Sequence, residues 1–264
     1  MTGALLALAA CTGEPRDPPH PPPPPVTDTD ADTDTDSDTD TDTDTDTDTD
    51  TDTDTDTEPP PPPIALHLQV EPVYTTQFAE SPACVHAGTA VVGDATGSLV
   101  VSVPSETAGV TVTCHHQWYA PETLVLSTGS QDLTFVMDME PPERLEILHA
   151  TFALGQPDPA RGAVTVRVED PAGAAVMGAR VQLDVEATAS LAHDPSVLHL
   201  EYGLGTSLPT GGTHVLFLGV PAGTVGVHVT VPTGSCTTWP GSRLVDRVPV
   251  EAGGHTTIRM VCVR

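Results

Sequence analysis

Val164-Thr165-Val166-Arg167-Val168-Glu169, followed at once by Asp170-Pro171-Ala172-Gly173, sets the pattern for the carboxyl-terminal part of this chain. Apolar and polar residues alternate, as in a strand with one face buried and the other wet. The Asp-Pro-Ala-Gly segment is a turn, because Pro presets φ and Gly tolerates positive φ. The same pattern recurs downstream. Val181, Leu183 and Val185 alternate with Arg180, Gln182 and Asp184, and 214–218 reads as a fully buried strand. After the turn Pro221-Ala222-Gly223, Val225, Val227, Val229 and Val231 share one face, and 244–250 and 256–263 close the unit.

Working back toward the amino end, Leu66, Leu68 and Val70 share a face. Segments 89–92 and 99–103 follow, separated by Gly93-Asp94 and Thr96-Gly97 turn signals. Val110, Val112 and Cys114 alternate with Thr111, Thr113 and His115. Next come 124–126 and 133–139, the latter with Leu133, Phe135, Met137 and Met139 on one side. Segment 146–154 is expected to be one further strand before the linker 155–162. Short strands with regularly spaced turns predict an all-β fold, with two small antiparallel β-sandwich domains at 64–155 and 160–264.

Before these lies a tract of another kind. Residues 27–56 are fifteen Xaa-Asp dipeptides, varied only by Ala31 and Ser37, with proline blocks at 21–25 and 59–63. Alternation here cannot mean a half-buried strand, since neither face is apolar. Carboxylates two residues apart in an extended chain are roughly 7 Å from each other. That is inside the screening length of about 8 Å at physiological salt, and each pair repels by about 0.6 kcal/mol. Extension is favoured, and prolines stiffen it, so 12–63 is expected to be a disordered spacer reaching at most ~160 Å. Specific calcium sites would need a turn glycine and a bidentate acid at fixed spacing, which the tract lacks. Threonine O-glycosylation is a second open reading.

Leu8-Ala9-Ala10-Cys11 resembles a bacterial lipobox, which implies signal cleavage and diacylation of Cys11. Thr12 after the cysteine, by the same resemblance, permits sorting to the outer membrane. The start departs from the pattern in lacking a basic residue before a short apolar stretch. In the second unit, Gly162 to Glu169, then Gly178-Ala179-Arg180-Val181, then Phe217-Leu218-Gly219-Val220-Pro221-Ala222-Gly223-Thr224 resemble the carboxypeptidase regulatory-like domain, a prealbumin-like sandwich. The resemblance runs from Ala163 to Arg264 and implies a non-catalytic accessory domain of a secreted protein. Two departures are the long insertion 187–213 and Val225 where an aromatic is common. The first unit resembles it less, chiefly through Trp118-Tyr119-Ala120-Pro121-Glu122, and an immunoglobulin-like sandwich stays open there.

Composition narrows the chemistry. The formal charge is −28, and beyond residue 63 nineteen acidic residues stand against eight arginines, which disfavours nucleic acid and anionic lipid as partners. No lysine occurs, which excludes Schiff-base and Walker-lysine chemistry. Besides Cys11 there are Cys84, Cys114, Cys236 and Cys262, for which proximity favours Cys84–Cys114 and Cys236–Cys262 disulfides in an oxidising compartment. His115-His116 point to opposite faces of a strand and make a poor chelate. Trp118, Tyr119, Tyr202 and Trp239 are candidate ligand contacts, against the plainer reading as core plugs. Asp138, Glu140, Glu143 and Glu146 read as a solvated edge. No catalytic motif, metal site or cofactor is expected. The insertion 187–213 is the favoured binding loop, with 197–202 alternatively an extra hairpin strand. The expected function is a non-catalytic, lipid-anchored envelope protein for adhesion or structural contact, with an unknown protein or glycan partner. A carbohydrate-binding module is the alternative.

Overall fold

The computed structural model describes residues 59–73, 80–197, 201–241 and 243–263. The start with Cys11 and the acidic tract to Glu58 lie outside the described residues. In the first half come Ile64–Pro72 (β1), Ala83–His86 (β2), Thr89–Val92 (β3), Ser98–Val103 (β4), Val110–His115 (β5), Glu122–Leu126 (β6) and Leu133–Met139 (β7). A helix, Pro142–Thr151 (α1), follows. The second half holds Arg161–Glu169 (β8), Arg180–Leu183 (β9), Ala189–His193 (β10), Tyr202–Leu204 (β11), His214–Pro221 (β12), Gly223–Thr230 (β13), Ser235–Thr238 (β14), Arg247–Val250 (β15) and His255–Val263 (β16). Among the described residues the fold is all-β apart from α1, as expected.

The strands make a ten-stranded sheet flanked by two three-stranded sheets. The large sheet runs β11-β10-β12-β8-β16-β6-β5-β2-β3, with β14 also paired to β16. The small sheets are β4-β1-β7 and β15-β13-β9. Most pairs are antiparallel as predicted, but β1–β7, β6–β16 and β8–β16 are parallel. The antiparallel expectation came from hairpin-like turn spacing, which reports only neighbours in sequence. These three pairs join strands far apart in the chain.

Strand β6 shows where the cores sit. Its Leu124 and Leu126 belong to the core beneath β4-β1-β7, with Leu66, Leu68, Val112 and Met137. Val125 belongs to the other core, with Val164, Val166, Val227, Val248 and Ile258. Alternation along one strand therefore places the two cores on opposite faces of the large sheet. A third cluster joins Leu148 of α1 to Ala163, Leu191, Leu216 and Leu218, with Leu145 and Phe152 packed against it. Ala163 precedes Val164 on β8, so this cluster shares its face with the first core.

The helix overturns the strand expected at 146–154. Pro142 sits in the first turn, where its missing N–H costs little, and Glu143 and His149 suit the two ends of the helix dipole. Leu145, Leu148 and Phe152 recur at spacings of three and four, which places them on one helix face. The insertion 187–213 forms the hairpin of β10 and β11, with His193 opposite Tyr202. The extra strand expected at 197–202 is thus displaced to Tyr202–Leu204, and 198–200 lie outside the described residues. Strands β2 and β14 were not expected, because four residues around a cysteine show little periodicity.

Two glycines have specific tasks. Gly219, at φ 62°, makes the bulge between Leu218 and Val220 in β12. Gly162 lies so close to the Glu251 carbonyl that a Cβ would overlap it.

Disulfides join Cys84 to Cys114 and Cys236 to Cys262, each across directly paired strand positions. They span sequence separations of 30 and 26 residues. Loop closure at this length stabilises by roughly 3.5 kcal/mol per bridge. Replacing Cys84 and Cys114 together by serine should lower the urea unfolding free energy by about 2–4 kcal/mol. An unchanged midpoint would show that the bridge constrains little.

Candidate functional site

The site follows from strand alternation. In β16, Thr256, Ile258 and Met260 are buried, and Ile258 and Met260 enter the second core. His255, Thr257 and Arg259 therefore project to the other face, as do Thr165 and Arg167 of β8. On that face the first core and the α1 cluster both provide apolar cover. The strip between them is polar. A cleft of about 290 Å³ opens there, bordered by Phe135 to Asp138 of β7, Arg144 of α1, and Tyr202 and His214.

Parallel pairing assembles its floor. His255 lies opposite Glu122 of β6, and Thr257 opposite Thr165 of β8. His255 Nδ1 is 2.7 Å from Glu122 Oε2. The other carboxylate oxygen, Oε1, accepts the Thr257 hydroxyl at 2.7 Å. On the far side of the ring, Nε2 is 2.8 Å from the Thr165 hydroxyl. Glu122 and His255 are buried, whereas Thr165 is partly open to the cleft. Carboxylate, imidazole and hydroxyl thus form one continuous relay. Burial opposes the His255 cation, yet the charge and hydrogen bond of Glu122, with Glu140 adding to them, hold its pKa above the ordinary value.

The walls carry two more arrangements. Arg144 Nη1 donates to both oxygens of Glu140, at 2.9 and 3.1 Å. Burial raises the Glu140 pKa despite the opposing Arg144 charge. Opposite, the Tyr202 hydroxyl is hydrogen-bonded to His214 Nε2 at 2.9 Å. The His214 ring stacks on His193 with centroids 4.6 Å apart. Burial, then the His193 and Arg167 charges, drive His214 down to about 3, so it stays neutral. Burial raises Tyr202, which keeps its proton. Beyond the cleft, the buried Glu169 binds Arg167 at 3.1 Å and Arg259 at 2.7 Å.

The residues expected to contact ligand do not converge. Trp118 is 64% exposed on the loop after β5. Tyr119 is half-buried against the first core and meets the His116 ring edge-on. Trp239 packs on Phe135, and Arg259 lies over its ring. Of the four, Tyr202 alone lines the cleft. His116 Nε2 contacts the Glu80 carbonyl while His115 is exposed, so the neighbours serve separate surroundings. Asp138, Glu143 and Glu146 are exposed as expected of a solvated edge, but Glu140 turns inward to Arg144. Among the described residues, no three His, Cys, Asp or Glu side chains are placed to hold a metal ion.

Glu122, His255, Thr165 and Arg144 were missed as a group. Thr165 and His255 are 90 residues apart, and Glu122 and Thr257 are 135 apart. One signal was available: Glu122 opens a strand with no other charged residue and three apolar ones, where a carboxylate needs a partner.

No protein-family model and no curated protein matches the sequence. Solved structures do align with it. The Bacillus anthracis TIE protein is 9% identical at a TM-score of 0.22, over 76% of this chain and 34% of that one. The shaft pilin SpaA of Lactobacillus rhamnosus GG is 9% identical at 0.21, covering 76% and 98%. The minor pilin GBS52 of Streptococcus agalactiae is 8% identical at 0.25, covering 76% and 97%. Scores this low carry no functional argument.

The buried neutral His214 has a pH consequence. Its folded pKa is depressed, so the unfolded ring takes up a proton near pH 6.5 that the folded ring refuses until about 3. Its contribution is complete above pH 6.5 and lost as pH falls. His255 has the opposite sign: its contribution is present below pH 6.5 and lost as pH rises through its raised value. Between pH 7 and pH 5 the His214 share should approach roughly 2 kcal/mol. Urea melts at the two pH values should therefore show a smaller acid loss in His214→Gln than in wild type. Equal losses would contradict the assignment.

Proposed function

We propose that this protein is a lipid-anchored envelope protein that carries a β-sandwich body on an extended acidic spacer, for adhesion or structural contact. The observation that supports it is the order of parts. A lipobox-like Cys11 comes first, then a tract whose charge resists collapse, then a body with two disulfides. An acyl chain at Cys11 would attach the amino end to the outer membrane. The spacer would then place the body away from the lipid surface, because charge repulsion along it would favour an extended chain. Disulfides agree with an exported protein. Among the described residues no helix is long and apolar enough to cross a membrane. In this reading the region from Ala163 onward is a carboxypeptidase regulatory-like domain, serving as scaffold.

A second reading, carbohydrate binding, is supported by the exposure of Trp118, whose ring is open for stacking on a sugar. Mass spectrometry of the mature amino end tests the anchor: a diacylated Cys11 is expected, and an acyl-free Cys11 would reject it. A glycan array separates the two readings. Binding lost at least tenfold on Trp118→Ala supports sugar recognition, and no glycan binding leaves protein contact as the role.

A further inference from the structure

The relay on the floor of the cleft has the parts of a nucleophilic centre. We propose that Thr165 is a nucleophile, activated by His255 and oriented through Glu122, that takes the acyl group of a small carboxylic ester. This goes beyond the envelope role and does not depend on the anchor.

The geometry fixes each part. Glu122 Oε2 lies 2.7 Å from His255 Nδ1, so its negative charge favours a proton on that nitrogen. The remaining nitrogen, Nε2, then presents its lone pair to the Thr165 hydroxyl 2.8 Å away. The carboxylate cannot swing away, because Thr257 donates to its other oxygen. A nucleophile hydrogen-bonded to a base, with an orienting acid in close ionic contact behind it, defines this class of site by geometry rather than by order in sequence. All three come from adjacent strands, β8, β16 and β6, so the sheet itself holds them in place.

The surroundings suit an acyl substrate. Thr165 lines both the open cleft and a small void of about 20 Å³ that Arg144, Tyr202 and Glu140 also border. The Arg144 guanidinium is the donor at hand for a carbonyl oxygen that gains negative charge, since the Tyr202 hydroxyl is engaged with His214. Phe135 and Met137 border the cleft on the β7 side and offer an apolar wall to a short acyl chain. In the reaction, Thr165 Oγ1 bonds to the ester carbonyl carbon as its proton moves to His255 Nε2. The tetrahedral intermediate expels the alcohol, which takes that proton, leaving an acyl-threonine ester. Water then attacks under the same base, releases the carboxylic acid and restores the hydroxyl. No oxidant, reductant or metal is required.

The test uses the full chain with a fluorophosphonate probe and with p-nitrophenyl butyrate, at pH 6 to 9. Peptide mass spectrometry should place the phosphonyl group on Thr165, and ester turnover should rise with pH as His255 loses its proton. Thr165→Val, close in shape, should abolish labelling and reduce turnover at least 100-fold. Thr165→Ser should restore both, which a structural role for the hydroxyl would not predict. His255→Gln should also reduce turnover at least 100-fold. Far-ultraviolet circular dichroism and intact disulfides show that each variant is folded. Absence of labelling in the folded wild type, labelling on another residue, or wild-type turnover in Thr165→Val would overturn the proposal.

Discussion

Strand β16 is the constraint on which the rest depends. It pairs in parallel with β6 on one side and β8 on the other. By doing so it carries one sheet from the first half of the chain into the second. Its apolar residues, Ile258 and Met260, support the second core, and Cys262 ties it to β14. The opposite side of the same strand offers His255, Thr257 and Arg259. A strand in this position cannot be apolar on both faces, because only one face has a core above it along its full length.

That imbalance explains the polar strip. Apolar cover is supplied by β4-β1-β7 at one end and by α1 at the other, and neither reaches across the middle. Charges placed in such a gap are expensive unless paired. Each is paired here: Glu122 with His255, Glu140 with Arg144, and Glu169 with both Arg167 and Arg259. The low local dielectric strengthens these contacts and separates the two histidines in charge. His214 is buried and stays neutral. His255 meets a carboxylate and holds its proton more tightly.

Local pattern made much of the fold legible. The alternation Val164-Thr165-Val166-Arg167-Val168 returned as β8, with valines inward and Thr165 and Arg167 on the wetter side. The turn at Pro221-Ala222-Gly223 returned between β12 and β13. The cysteine pairs followed from proximity. The helix at Pro142–Thr151 was hidden because ten residues give fewer than three turns, too few for a clear period. The parallel pairs were hidden because nothing local encodes which distant strand will lie alongside β16. The site depends on those pairs, so its members looked like unrelated polar residues. The aromatic residues drew attention by rarity, yet Tyr119 and Trp239 mostly fill edges of the first core.

The proline block at 59–63 runs straight into β1, and β1 is the central strand of its sheet. It is laddered to β4 from Ile64 and to β7 from Leu66. A pull delivered from the amino-terminal side along the strand axis would load both ladders in shear, straining many bonds together. A pull across the strand axis would instead open the ladder one bond at a time. The point where the chain enters the body is therefore built to resist mechanical force.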